Sequence, residues 1–67
     1  MSRKGFKYEY VLTSNSILEY EAVNFAYTTA GWKDLGAPPG KGFPKSVIFE
    51  WQKDGPPFFP QVNWPPL

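Results

Sequence analysis

Phe6-Lys7-Tyr8-Glu9-Tyr10-Val11-Leu12-Thr13-Ser14-Asn15-Ser16 decides the fold. From Phe6 to Thr13 the side chains alternate, with Phe6, Tyr8, Tyr10 and Leu12 on one side and Lys7, Glu9, Val11 and Thr13 on the other. That is the period of a strand with one buried face. Ser14-Asn15-Ser16 stops the strand, and Ser16 with Glu19 three residues on makes a capping-box pattern, which predicts a helix of about three to four turns. Leu18, Ala22, Phe25, Ala26 and Thr29 share one face of that helix and are its expected core stripe. Gly31, following Ala30, is the residue expected to close it in a left-handed conformation.

Downstream, Trp32 to Leu35 reads as a short strand, and Gly36-Ala37-Pro38-Pro39-Gly40-Lys41-Gly42 as a loop, since no regular element tolerates so many breakers. Ser46 to Lys53 alternates again, with Val47, Phe49 and Trp51 on one side and Ile48, Glu50 and Gln52 on the other, before Asp54-Gly55 interrupts it. The order is β-α-β-β. The class is α+β: a three-stranded sheet with one helix on one face, over residues 1–54. The covered face is expected to hold Phe6, Tyr8, Tyr10, Leu12, Val47, Phe49 and Trp51, leaving Lys7, Glu9, Val11, Ile48, Glu50 and Gln52 on a half-polar second face.

Residues 55–67 form a different kind of segment. They carry the prolines Pro56, Pro57, Pro60, Pro65 and Pro66 together with Phe58, Phe59, Val62 and Trp64. Proline lowers the entropy of the free chain and lets a segment lie extended without a strand's ladder, so this stretch is expected to be a strap. It lies on its own sheet or on a neighbouring chain.

Composition narrows the function. A chain of 67 residues is near the size at which a single core only just offsets chain entropy. With no cysteine and no histidine, disulfides, thiolate or imidazole zinc sites and Cys- or His-based catalysis are excluded, and no cofactor is expected. Aromatic residues are 19% of the chain, so oligomerisation or a wrapped tail is the expected source of added stability. A net charge of +1 argues against a duplex nucleic acid or an acidic membrane surface as partner. Met1-Ser2-Arg3-Lys4-Gly5 leads into the alternating strand instead of an apolar leader, and nowhere do eighteen apolar residues run together, so a cytoplasmic protein is expected.

Basic residues are therefore local. In Gly40-Lys41-Gly42-Phe43-Pro44-Lys45-Ser46, glycine permits close backbone approach, Lys41 and Lys45 suit an anion, Phe43 suits a stacked ring and Ser46 offers a hydroxyl. Gly36 to Gly42 is not a phosphate-binding P-loop: its spacing is one residue short, Gly42 stands where Ser or Thr is required, and no helix follows. Arg3 and Lys4, with Lys7, form a second basic group beside the aromatic strand. Tyr20 and Tyr27, off the expected core stripe, read with Phe58, Phe59, Val62 and Trp64 as partner-interface residues. Glu9 and Glu50 are expected to meet across neighbouring strands, but a carboxylate pair on an open polar face with no nucleophile beside it is not a catalytic arrangement, and the expectation is no enzyme.

Tyr8-Glu9-Tyr10-Val11-Leu12-Thr13-Ser14, the helix, and Ala30-Gly31-Trp32-Lys33-Asp34-Leu35-Gly36 together resemble a family of short bacterial and phage domains of unknown function. That family opens with a Tyr-x-Val-Val strand and ends its helix in Gly-Trp-x-Pro-x-Gly. The resemblance covers roughly the first fifty residues; Asp34 stands at the proline position, and the tail has no counterpart. It implies a β-α-β-β half-sandwich that associates through its sheet, and no catalytic residues. The expectation is thus a non-enzymatic binding module, of phage type, that sequesters a small anionic or nucleotide-like ligand at a homo-oligomer interface. The alternative is an adaptor or inhibitor that docks a host protein through the Pro-rich aromatic tail.

Overall fold

The computed structural model describes residues 3–14, 16–37 and 44–65. Among them are β1 (Lys7–Val11), α1 (Ile17–Ala30), β2 (Trp32–Asp34) and β3 (Ser46–Trp51), the α+β arrangement read from the sequence. The sheet is antiparallel in the order β1-β3-β2, so the last strand of the chain lies in its middle. Overall extents of 37 × 31 × 13 Å fit one helix layer on one sheet layer.

Local chemistry sets the ends of the elements. Ahead of β1, the Phe6 N–H donates to the Arg3 carbonyl at 2.9 Å and Gly5 has φ of 92°, the backbone of a type II turn. Gly5 N–H donates to the Trp51 carbonyl at 2.7 Å while Trp51 N–H donates to the Phe6 carbonyl at 2.8 Å, so two residues face one in a glycine-type bulge that starts the ladder. Ser16 caps α1, its Oγ accepting from Leu18 N–H at 3.1 Å. Gly31 closes the helix at φ of 119°, with its N–H shared between the Tyr27 and Thr28 carbonyls.

The helix presents a different face from the expected one. Glu19, Val23 and Tyr27 are buried, whereas Leu18 and Phe25 of the expected core stripe are 61% and 73% exposed. The reason lies in Glu19. Its stripe would be costly to bury with a bare carboxylate, but Thr13 N–H donates to both carboxylate oxygens at 3.0 and 2.9 Å, and Ser14 N–H donates to Oε1 at 2.8 Å. The Thr13 and Ser14 hydroxyls add bonds of 2.6 and 2.9 Å. Satisfied in this way at the positive end of the helix, Glu19 is buried completely and carries Val23 and Tyr27, one and two turns on, into the core.

Tyr27 is therefore a core residue and not the exposed interface tyrosine expected from its spacing. Its ring stacks on Phe49 with centroids 4.6 Å apart and meets Tyr10 edge-on at 5.7 Å and Trp32 at 5.6 Å. Leu12, Val47 and Trp51 complete the buried set.

Candidate functional site

Three surfaces hold the chain's uncommitted chemistry: the open sheet face, the outer side of α1 and the tail. On the open sheet face, β1 and β3 pair so that Lys7 stands opposite Glu50, Glu9 opposite Ile48 and Val11 opposite Ser46, while Lys33 of β2 flanks Glu50 on the other side. The expected Glu9–Glu50 pair does not form, because the register puts the two residues on a diagonal. Lys7 Nζ lies 3.8 Å from Glu50 Oε2, and Ser46 Oγ donates to Glu9 Oε2 at 2.6 Å. The charges alternate in sign, and Val11 is left 68% exposed among them.

At the sheet's far corner, Asp34 ties the helix to β2. Its carboxylate accepts from Tyr20 Oη at 3.2 Å, from Asn24 Nδ2 and from Gly36 N–H at 2.6 Å, the last closing an Asx turn at a glycine with φ of 92°. Burial, followed by the nearby Asp34 charge and the hydrogen bond to it, raises the Tyr20 phenol above its ordinary value. Tyr20, read from sequence as an interface residue, is half-buried and serves this internal tie. Sequence reasoning missed both Asn24 and the structural role of Asp34; the visible signal was Asp34-Leu35-Gly36, an acidic residue two before a glycine.

Along the tail, Phe59 packs edge-on against Tyr8 at 5.1 Å and lies tilted against Trp32 at 5.4 Å. Trp32 Nε1 donates to the Phe58 carbonyl at 2.8 Å, and Val62 is half-buried against the core. The segment thus lies on the helix-bearing face of its own sheet. Trp64 is half-buried in a shallow depression bounded by Gln61, Val62, Asn63 and Pro65, and the Phe58 ring is 61% exposed. Buried Trp51 Nε1 has no acceptor among the described residues.

The basic residues expected to bind an anion occupy separate places. Lys41 and Phe43 lie outside the described residues. Lys45 is exposed where its carbonyl meets Leu12 N–H, at the end of the β1–β3 ladder remote from Arg3 and Lys4. Seven residues of extended chain separate Gly5 from Leu12, about 23 Å. Arg3 holds its guanidinium 5.2 Å from the Phe6 ring centre. Ser46 is buried with its hydroxyl committed to Glu9. These described residues do not converge on one site.

On the outer side of α1, Leu18, Glu21 and Phe25 succeed one another at spacings of three and four and are all exposed. Thr28, three residues further on, turns its hydroxyl back to the Asn24 carbonyl at 2.7 Å. The helix carries no lysine or arginine. Among the described residues, no helix is long and apolar enough to cross a membrane.

Comparison with family models, curated proteins and solved structures finds no match.

Proposed function

We propose that this protein is a non-catalytic docking module whose outer α1 face binds another protein. One observation carries the reading: Leu18 and Phe25 stand 61% and 73% exposed on the same side of a helix whose opposite side already forms the core. A helix in a two-layer domain needs one apolar face, and this helix carries two large apolar side chains outside it. The partner's chemistry follows from the surroundings. Glu21 stands between the two apolar residues and no basic residue lies on α1, so the fitting partner is an apolar groove or helix face with a lysine or arginine at its rim.

Other acidic residues have architectural employment: Glu9 with Ser46, Glu19 with Thr13 and Ser14, Asp34 with Tyr20 and Asn24, and Glu50 with Lys7 and Gln52. Docking through the helix has more support than ligand sequestration, because Arg3 and Lys4 stand at the opposite end of β1 from Lys45. It also has more support than docking through the tail alone, because Val62 packs against the chain's own core and Phe59, 49% exposed, already rests its ring on Tyr8 and Trp32.

A photo-crosslinking residue at Ala22, beside the stripe, tests the proposal in the cells that make the protein. The expected result is a discrete crosslinked hetero-species that disappears in the Leu18→Ser/Phe25→Ser variant while its melting temperature holds. No discrete hetero-species, or one that survives in the variant, would refute the proposal.

A further inference from the structure

β1 is an edge strand, and its free side is fully specified. Trp51 N–H donates to the Phe6 carbonyl and Leu12 N–H donates to the Lys45 carbonyl, so the even-numbered residues of β1 turn their backbone groups toward β3. In an antiparallel ladder, N–H and C=O of one residue point to the same side, so Lys7, Glu9 and Val11 direct theirs outward. The described residues supply no hydrogen bond to those groups. Their side chains lie together on the open sheet face as plus, minus and apolar.

From this we infer that β1 pairs antiparallel with β1 of a second copy, about a twofold axis at Tyr8, making one continuous sheet from two chains. The register follows from charge. Only odd residues can exchange hydrogen bonds across this edge, which leaves few alignments. Centring on Glu9 sets Glu9 against its own copy, centring on Lys7 sets two lysines together, and centring on Tyr10 leaves Glu9 opposite Val11. Centring on Tyr8 sets Lys7 opposite the second copy's Glu9 and Glu9 opposite its Lys7, with about four backbone hydrogen bonds between them.

Charged residues on an edge strand ordinarily discourage pairing. Alternating signs discourage every alignment but one, which turns the protection into selectivity. On the helix-bearing face, the same alignment brings Tyr8 against Tyr8 and Tyr10 against Phe6, all half-buried in the single chain and all left with ring surface to cover. This pairing uses neither Leu18 nor Phe25, so it stands or falls separately from docking by α1.

Light scattering behind size exclusion, on the full chain across a range of concentrations, is the test. The expected result is a concentration-dependent dimer. Lys7→Glu sets acid against acid, Glu9→Lys sets base against base, and each is expected to weaken dimerisation at least tenfold. The double exchange, Lys7→Glu with Glu9→Lys, is expected to restore it. Because Glu9→Lys also removes the bond to Ser46, and Lys7→Glu replaces the Lys7–Glu50 ion pair with two facing acids inside the chain, amide hydrogen exchange on the unmodified chain gives an independent reading. The Lys7 and Glu9 amides should gain protection as concentration rises, while the outward amides of α1's first turn do not. A monomer at millimolar concentration, single variants that dimerise like the parent, a double exchange that fails to restore dimerisation, or Lys7 and Glu9 amides indifferent to concentration would overturn the inference.

Discussion

Replacing Glu19 by alanine removes one acceptor that four donors share: the backbone N–H and hydroxyl groups of Thr13 and Ser14. The hydroxyls can turn to other partners, but the two N–H groups are fixed by the chain. Taking about 1.5 kcal/mol for each backbone bond to a charged acceptor, the loss is about 3 kcal/mol, or roughly a hundredfold in the folding equilibrium. In a domain this small that corresponds to a fall in Tm of about 12 to 24 °C. Glu19→Gln keeps the shape and one carbonyl acceptor but loses the charge, and about half that cost is expected. A pH signature separates the charge from the shape. Burial alone would raise the Glu19 pKa, but the hydrogen bonds from Thr13 and Ser14 outweigh it and hold the carboxyl below its ordinary value of 4.5. A group depressed on folding stabilises fully above its unfolded pKa, so this contribution erodes as pH falls below about 4.5 and through the lower folded value. Urea unfolding followed by circular dichroism, for the parent and both variants between neutral and acid pH, reads all of this. A cost under about 1 kcal/mol for Glu19→Ala, or an acid-limb slope in Glu19→Gln equal to the parent's, would refute the account of how α1 buries its stripe.

The helix orientation makes a paired prediction: Val23→Ala should cost about 2 kcal/mol because Val23 is fully buried, whereas Phe25→Ser should change stability by less than about 0.5 kcal/mol, both measured by chemical denaturation. Gly31→Ala is expected to cost about 1 to 2 kcal/mol, since φ of 119° disfavours any side chain and a Cβ there would come within 2.7 Å of Lys53 Cε; a thermal melt suffices to check it. Burial, then the neighbouring Tyr8 and Tyr10, pushes Tyr27 up to about 12 from an ordinary 10.0, so its contribution is complete below pH 10 and lost as pH rises toward 12. A phenolate titration followed in the ultraviolet should show a last step near pH 12 that is absent in Tyr27→Phe, while Tyr10 and Tyr20, which burial also raises, still ionise above the ordinary value.

The parts of this fold legible in the sequence are those set by near neighbours. The alternation of Phe6 to Thr13, the Ser16 cap and the Gly31 stop each depend on a few adjacent residues, and all three are found in the structure. The rotation of α1 was not legible. Both Leu18/Phe25 and Val23/Tyr27 make acceptable apolar stripes, and the choice between them rests on Thr13 and Ser14 reaching a carboxylate from the preceding turn. The register of β3 was equally hidden: β1 and β3 are neighbours as expected, but the ladder sets Lys7, not Glu9, opposite Glu50 across most of the chain. The basic residues Arg3, Lys4 and Lys45 are visible as charge, but their separation along β1 emerges only from the ladder. Asp34 was read by its difference from a family pattern, when its physical meaning was the Asx turn and the tie to Tyr20 and Asn24.

The strand completed last sits at the centre of the sheet. β1 and β2 have no ladder with each other, so neither has a strand partner until β3 exists. During synthesis the chain must therefore hold Tyr8, Tyr10 and Trp32 without a sheet to place them in until Ser46–Trp51 has emerged, and only α1 can form beforehand. Both ladders then close around one strand, as a single event with a long loop entropy to overcome on the β1 side. For a 67-residue domain this means slow folding for its length and little tolerance of chains that stop between Asp34 and Ser46, since each such product is a helix with two unpaired strands.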